Sequence, residues 1–74
     1  MSHLLVRLRE CLDRYEARTG ERLTYDELAK RTNLSRATIE SLATRPDYNA
    51  TLRTIERICK ALGVTHAELL EWRR

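Results

Sequence analysis

Four side chains near the middle of the chain have the types and spacing needed to read the edges of base pairs. Arg36, Ala37, Glu40 and Ser41 are separated by one, three and four positions, so a helix through them places all four on its outer side. The planar guanidinium of Arg36 can donate to both acceptors of a guanine, and Glu40 can accept from a cytosine. Ala37 can touch a thymine methyl, and Ser41 is small enough to permit close approach. A polar outer face of this kind on a short helix is what reading the major groove of duplex DNA requires.

These side chains also have structural interpretations. Arg36 and Glu40 are four residues apart, so they can form a surface ion pair worth only about 0.3–0.5 kcal/mol, which DNA would break at little cost. Glu40 is repelled by phosphates wherever it does not meet a cytosine, and orienting Arg36 is its alternative role. A spacing role is the alternative for Ala37. We favour a base contact for Arg36, because a guanine contact is worth about 1–3 kcal/mol of discrimination.

Candidate phosphate contacts flank this helix. Arg45 follows it and Arg53 lies at the start of the next predicted helix, so both cations can meet the DNA backbone. Thr24 and Ser35, the predicted caps of two helices, join the candidate DNA-binding set because helix N-termini carry partial positive charge. For Arg45 and Arg53, simple exposure to solvent is the alternative.

No arrangement for catalysis or metal binding is visible in the sequence. The two histidines, His3 and His66, are far apart, and neither Cys11 nor Cys59 has a second ligand at metal-binding spacing. Both cysteines fall on apolar faces of predicted helices, which favours buried thiols over a disulfide. We expect no enzyme, no cofactor or metal, and no small-molecule ligand, since so small a core offers little pocket.

Two short helices joined by a tight turn must position the outward residues, and they are predicted within residues 23–42. Thr24 can cap the first helix, and Glu27 three residues later completes a capping box. Asn33 stands where the turn needs a positive φ, and Ser35 can cap the second helix. This is the signature of a helix-turn-helix.

The inner faces of the two helices are apolar. Ile39 and Leu42 of the second helix point inward, and Leu28 of the first helix is also buried. Ala29 is small, so the helices can cross closely at that residue. We therefore assign a structural role to Ala29.

Three further amphipathic helices are predicted around this pair. The first runs from Ser2 to Thr19, with Ser2 as its cap and Gly20 as its left-handed end. Pro46 prevents the second helix of the pair from continuing. The fourth helix is capped by Thr51 and closed by Gly63, and its apolar stripe comprises Leu52, Ile55, Ile58, Cys59 and Leu62.

A short fifth helix is predicted after Gly63. Thr65 and Glu68 form its capping box, and Leu69 and Leu70 return to the core. Trp72 lies near the end of the chain, where it either closes the core or stays exposed.

The composition agrees with helices throughout. With 74 residues, two glycines, one proline and no phenylalanine, the chain predicts a single all-α domain over residues 1–74. The net charge of +3 and a pI of about 9.2 weakly favour a polyanionic partner. No apolar run reaches membrane-spanning length and the N-terminus lacks the apolar core of a signal peptide, so we expect a cytoplasmic protein without membrane contact.

Two segments in register resemble the lambda-repressor-like helix-turn-helix family, also called XRE or Cro-like. The likeness rests on Ala29, Leu34, Ser35, Ile39 and Leu42, and on Ala61-Leu62-Gly63-Val64-Thr65 followed by Leu69-Leu70. It covers roughly residues 23–70. The resemblance implies a compact bundle of five helices, with the helix-turn-helix formed by helices 2 and 3, and binding to double-stranded DNA as a transcription regulator.

The same resemblance implies how DNA is met. The recognition helix, Arg36–Ala43 here, enters the major groove, and residues 36, 37, 40 and 41 occupy its base-reading positions. Tyr25 stands where the family commonly has a phosphate-binding Gln, and its hydroxyl can make that contact. The chain departs from the family at Asn33, where Gly is common, and in the loop over residues 43–48.

Two functions from different classes follow. The first is a sequence-specific DNA-binding transcriptional regulator, a repressor-type homodimer whose recognition helices read half-sites about 34 Å apart. The second is a small protein-interaction module, antitoxin-like or an accessory regulator, which uses the same fold to bind a partner protein. The modest net charge and Glu40 on the reading face motivate this alternative.

Overall fold

The computed structural model describes residues 3–45 and 47–73, which form five helices and a two-stranded sheet. The helices are α1 (Leu8–Thr19), α2 (Tyr25–Thr32), α3 (Arg36–Thr44), α4 (Leu52–Leu62) and α5 (His66–Leu69). The strands are β1 (His3–Val6) and β2 (Leu70–Arg73). None of these helices, in the part of the chain described, is long and apolar enough to cross a membrane.

Local hydrogen bonds start four of the helices at the residues expected from the sequence. Each cap side chain accepts from the backbone N–H three residues later, at 3.2 Å for Thr24, 3.1 Å for Ser35, 3.2 Å for Thr51 and 3.3 Å for Thr65. Thr65 and Glu68 complete a reciprocal capping box. Only half of the capping box predicted at Thr24 forms. The Thr24 hydroxyl accepts from the N–H of Glu27, but among the described residues the Thr24 N–H does not donate to the Glu27 side chain.

The expected helix ends are also present. Gly20, Asn33 and Gly63 adopt left-handed conformations with φ of 76°, 58° and 67°. Each donates its backbone N–H to a carbonyl in the last turn of its own helix, that of Glu16, Ala29 and Cys59 respectively. Helix α3 ends at Thr44, close to the predicted stop, while Pro46 itself lies outside the described residues.

The first predicted helix begins too early. Residues 3–6 form β1, and α1 starts only at Leu8, with Arg7 in the cap position and no side-chain cap. Ser2, the predicted cap, lies outside the described residues. The physical reason is the pairing of β1 with β2, which gives the backbone groups of residues 3–6 partners from the other end of the chain.

The sheet also corrects the all-α fold class. Its strands run antiparallel with His3, Leu4, Leu5 and Val6 opposite Arg73, Trp72, Glu71 and Leu70 respectively. Helix α5 is therefore only one turn, and Leu70 begins β2 rather than continuing that helix. Trp72 does not close the core, since its side chain is 60% exposed.

A single apolar cluster joins the helices to the base of the sheet. Its largest fully buried side chains are Leu8, Leu28, Ile39, Leu42, Ile58, Leu62, Leu69 and Cys11. One predicted member of the apolar stripe of α4 is wrong: Leu52, the first residue of that helix, is 85% exposed and not part of the core. Cys11 is buried and Cys59 half-buried, and both thiols are free.

Candidate nucleic-acid interface

The turn between α2 and α3 is fixed by backbone and side-chain hydrogen bonds. Asn33 takes the left-handed conformation, and the N–H of Leu34 donates to the carbonyl of Ala29 at 3.1 Å. Arg57 of α4 donates through Nη1 to the carbonyl of Asn33 at 3.5 Å. Ala29 itself is half-buried and packs against the core. The direction of α3 relative to α2 is therefore set by the turn and supported from α4.

Helix α3 has one buried side and one exposed side, as its periodicity predicts. Ile39 and Leu42 are completely buried. Arg36, Ala37 and Glu40 are exposed on the opposite side. Ser41, the fourth predicted reading residue, is half-buried at the edge of this surface. Thus a short and well-anchored helix presents a cation, a methyl group and an anion to solvent.

Arg36 forms ion pairs with carboxylates on both helices. Its Nη1 donates to Oδ1 and Oδ2 of Asp26 at 3.2 and 3.3 Å, whereas its Nε lies 3.9 Å from Oε2 of Glu40. The pair with Glu40 expected from the sequence is present, but the contact with Asp26 is shorter. All three side chains are 57–62% exposed, and such surface pairs contribute only about 0–1 kcal/mol.

Asp26 is the residue near the site that sequence reasoning missed. It lies ten positions before Arg36 and meets it only because α2 and α3 cross. Helical periodicity relates residues within one helix, so it carries no information on this contact. The sequence signal available was the position of Asp26 in the first turn of α2, just after the cap.

The remaining candidates on this side lie at the starts of α2 and α3. Thr24 is exposed and uses its hydroxyl to cap α2. Tyr25 is half-buried against the core, and within the described residues its hydroxyl makes no hydrogen bond. The hydroxyl of Ser35 bonds both the N–H and the hydroxyl of Thr38, at 3.1 and 2.9 Å. The free N–H groups of the first turns give both helix starts a partial positive charge.

The two predicted phosphate-binding arginines lie after α3 and at the start of α4. Arg45 closes α3 by donating its backbone N–H to the carbonyl of Ser41 at 2.8 Å. Its guanidinium lies over the ring of Tyr48, 5.3 Å from the centroid. Arg53 is exposed in the first turn of α4 and, among residues 3–45 and 47–73, forms no ion pair. Both cations are accessible to an anion in solution.

Comparison with known proteins identifies the surrounding domain. Residues 20–73 match the family model of the Cro/C1-type helix-turn-helix DNA-binding domain. No curated protein matches the chain. The matched segment begins at Gly20 and includes the whole of α2, the turn and α3, together with α4, α5 and β2. This confirms the resemblance found in the sequence, and the chain belongs to the Cro/C1-type helix-turn-helix DNA-binding family.

Proposed function

We propose that the chain is a sequence-specific regulator of transcription that binds double-stranded DNA with residues Arg36–Ala43 in the major groove. The observation that carries this proposal is the two-sided character of α3. Its inner residues, Ile39 and Leu42, are fully buried, while Arg36, Ala37 and Glu40 face solvent in a domain of a DNA-binding family. An anchored helix of this kind reads base edges without having to fold on binding.

Arg36 is the principal base-reading residue in this proposal. Its contacts with Asp26 and Glu40 are exposed and weak, whereas a bidentate contact with guanine is worth about 1–3 kcal/mol of discrimination. Replacing the contacts of Arg36 with these carboxylates by a contact with a base is therefore favourable. Glu40 then accepts from a cytosine or holds the guanidinium in place, while Ala37 and Ser41 permit close approach.

Phosphate contacts set the position of the helix. Arg45 and Arg53 supply the cations, and Tyr25 has a hydroxyl available for a phosphate oxygen. Thr24 and Ser35 mark the helix starts whose free N–H groups favour anions. We further propose that the protein acts as a homodimer on half-sites about 34 Å apart.

A second candidate is a module that binds a partner protein through the same face. The observation that favours it is the pair of carboxylates, Asp26 and Glu40, which flank Arg36 on the proposed reading surface. Both carboxylates repel the phosphate backbone, and a basic patch on a partner protein would instead attract them.

The first prediction tests base reading with a matched pair of arginine variants. Sites are selected from a randomised duplex library, and affinities for the selected site and for scrambled duplexes are then measured by fluorescence anisotropy over a salt series. Arg36→Ala should cost about 1–3 kcal/mol on the selected site and relax preference at one base pair. Arg53→Ala should weaken binding to all sequences and reduce the salt slope by about 1.

Two other outcomes would contradict separate parts of the proposal. If Arg36→Ala weakens binding equally on every sequence, base reading by Arg36 is contradicted. The proposal that the domain binds DNA is not contradicted by that result. The absence of any salt-sensitive binding to random duplex would contradict the DNA-binding proposal and favour the partner-protein module.

A further inference from the structure

The guanidinium of Arg36 has one edge whose N–H groups make no hydrogen bond in the described part of the chain. Its Nη1 donates to both carboxylate oxygens of Asp26, at 3.2 and 3.3 Å. Its Nε lies 3.9 Å from Oε2 of Glu40, which is an ion-pair distance and too long for a hydrogen bond. The Nε–Nη2 edge therefore keeps two parallel N–H groups available to another acceptor.

This Nε–Nη2 edge matches the acceptor edge of a guanine. Guanine presents O6 and N7 side by side in the major groove, and two parallel N–H groups of an arginine can donate to both. A guanine at this edge would take the place of Glu40, whose contact is the longer one, and would leave the bonds from Nη1 to Asp26 unbroken. Base reading by Arg36 therefore requires the loss of one carboxylate contact and not of both.

Asp26 lies where it can restrict the movement of this guanidinium. It is in the first turn of α2, a helix that is capped by Thr24 and anchored by the fully buried Leu28. Its side chain is short, so the position of the carboxylate follows the backbone of α2 closely. Arg36 has a long side chain, and immobilising such a side chain only at the moment of binding weakens a complex. The bonds to Asp26 restrict it before DNA arrives.

The same carboxylate opposes contact with phosphate. Asp26 and Arg36 are both exposed, so the carboxylate is close to any phosphate that the guanidinium approaches. Repulsion between a carboxylate and the phosphate backbone acts on every DNA sequence. A guanine edge carries acceptors but no formal charge, so the carboxylate does not oppose it in the same way. Asp26 therefore favours a base over a phosphate as the partner of Arg36.

We propose that Asp26 is a positioning residue that determines sequence specificity. It holds the guanidinium of Arg36 through Nη1 with the Nε–Nη2 edge turned toward guanine, and it disfavours contact of the same guanidinium with phosphate. The inference rests on the proposed function, since it concerns how Arg36 reads DNA. Asp26 itself touches no base, so its effect on specificity disappears where Arg36 is absent.

The test measures binding of Asp26→Asn and of the wild-type chain to the selected site and to random duplex, by fluorescence anisotropy at one salt concentration. Asp26→Asn should weaken binding to the selected site by about threefold to tenfold, because Arg36 is no longer held. It should strengthen binding to random duplex by about twofold or more, because one negative charge is removed.

Glu27→Gln is the matched control for the change in charge. Glu27 is exposed in the same first turn of α2, and among the described residues it forms no ion pair with Arg36. This variant removes the same charge and should weaken binding to neither duplex. Urea denaturation of each variant checks that the fold is retained under the conditions of the binding measurement.

A double-mutant cycle shows whether Asp26 acts through Arg36. In the Arg36→Ala background, Asp26→Asn should no longer weaken binding to the selected site. A loss that persists in this background would overturn the inference, and so would equal strengthening on both duplexes, which charge repulsion alone explains. Both results leave the proposed DNA binding standing. If the wild-type chain shows no salt-sensitive binding to random duplex, the proposed function fails and the inference fails with it.

Discussion

A three-residue hydrogen-bonded cluster joins α1, the following linker and the end of α2. The hydroxyl of Tyr15 donates to Oε1 of Glu21 at 3.0 Å and accepts from Nη1 of Arg31 at 2.9 Å. Arg31 also donates through Nη2 to the same carboxylate oxygen at 2.9 Å. These bonds favour the charged carboxylate, and the hydrogen bond from Tyr15, followed by that from Arg31, lowers the pKa of Glu21 below its ordinary value.

This lowered pKa gives a pH-dependent prediction. A carboxyl group with a lower pKa in the folded state stabilises the fold above its unfolded pKa, and that contribution is lost as pH falls through the folded pKa. Glu21→Gln should therefore reduce the free energy of unfolding at neutral pH and flatten its decline in acid, as measured by urea denaturation at a series of pH values. Glu16→Gln is the control, because the exposed Glu16 side chain forms no ion pair among the described residues. Equal acid declines for wild type and Glu21→Gln would contradict the prediction.

At the scale of the elements, the helix boundaries were predictable because their causes are local. Thr24, Ser35, Thr51 and Thr65 each bond an N–H three residues away, and Asn33 turns the chain through its own φ. The strands were not predictable in this way. Leu4 and Leu8 are one helical turn apart, so residues 3–6 fit the period of α1, whereas their partners lie near the other end of the chain.

The same distinction between local and long-range contacts applies to the candidate site. Periodicity correctly predicted that Arg36 and Glu40 face outward and that Ile39 and Leu42 are buried, because all four lie on one helix. The contact of Arg36 with Asp26 depends on how two helices cross, which no single-helix pattern contains.

Helix α4 allows the apolar stripe to be tested at two of its positions. Leu52 and Ile58 both fit the stripe, but Leu52 is 85% exposed and Ile58 fully buried. Ile58→Ala should cost about 2–5 kcal/mol of unfolding free energy, since it removes buried methyl groups and leaves a cavity. Leu52→Ala should change the free energy of unfolding by less than about 0.5 kcal/mol. Urea denaturation measures both, and a large cost for Leu52→Ala would place that residue in the core after all.

At the scale of the whole molecule, α1 ties the ends of the chain to the helix bundle. It contacts α3, α4 and α5. Arg18 donates through Nη2 to the carbonyl of Leu62 at 2.6 Å, at the end of α4. Arg7 and Cys11 both reach the carbonyl of Glu68 in α5, at 3.0 and 3.5 Å. Helix α1 therefore belongs to the same core as the other helices, to which it contributes Leu8 and Cys11.

The two cysteines can report whether α1 separates from the core independently of the other helices. Burial raises the pKa of both thiols, so little of the reactive thiolate is present at neutral pH. Cys11 of α1 is completely buried and its thiol donates to the carbonyl of Glu68 in α5, whereas Cys59 is half-buried. Cys11 should therefore react with a thiol reagent only after α1 separates from the rest of the molecule, at least about 10³-fold more slowly than in the unfolded chain.

Single-thiol variants make this measurement specific. In Cys59→Ser, the labelling of Cys11 should follow the unfolding free energy obtained from urea denaturation, because exposure of this thiol requires loss of the core. In Cys11→Ser, Cys59 should label faster than this limit, since partial exposure lets reagent reach it in the folded state. If Cys11 labels much faster than global unfolding allows, then α1 opens independently of α2–α4. In that case the helix-turn-helix would hold its shape without the terminal elements, and the bundle would not be a single cooperative unit.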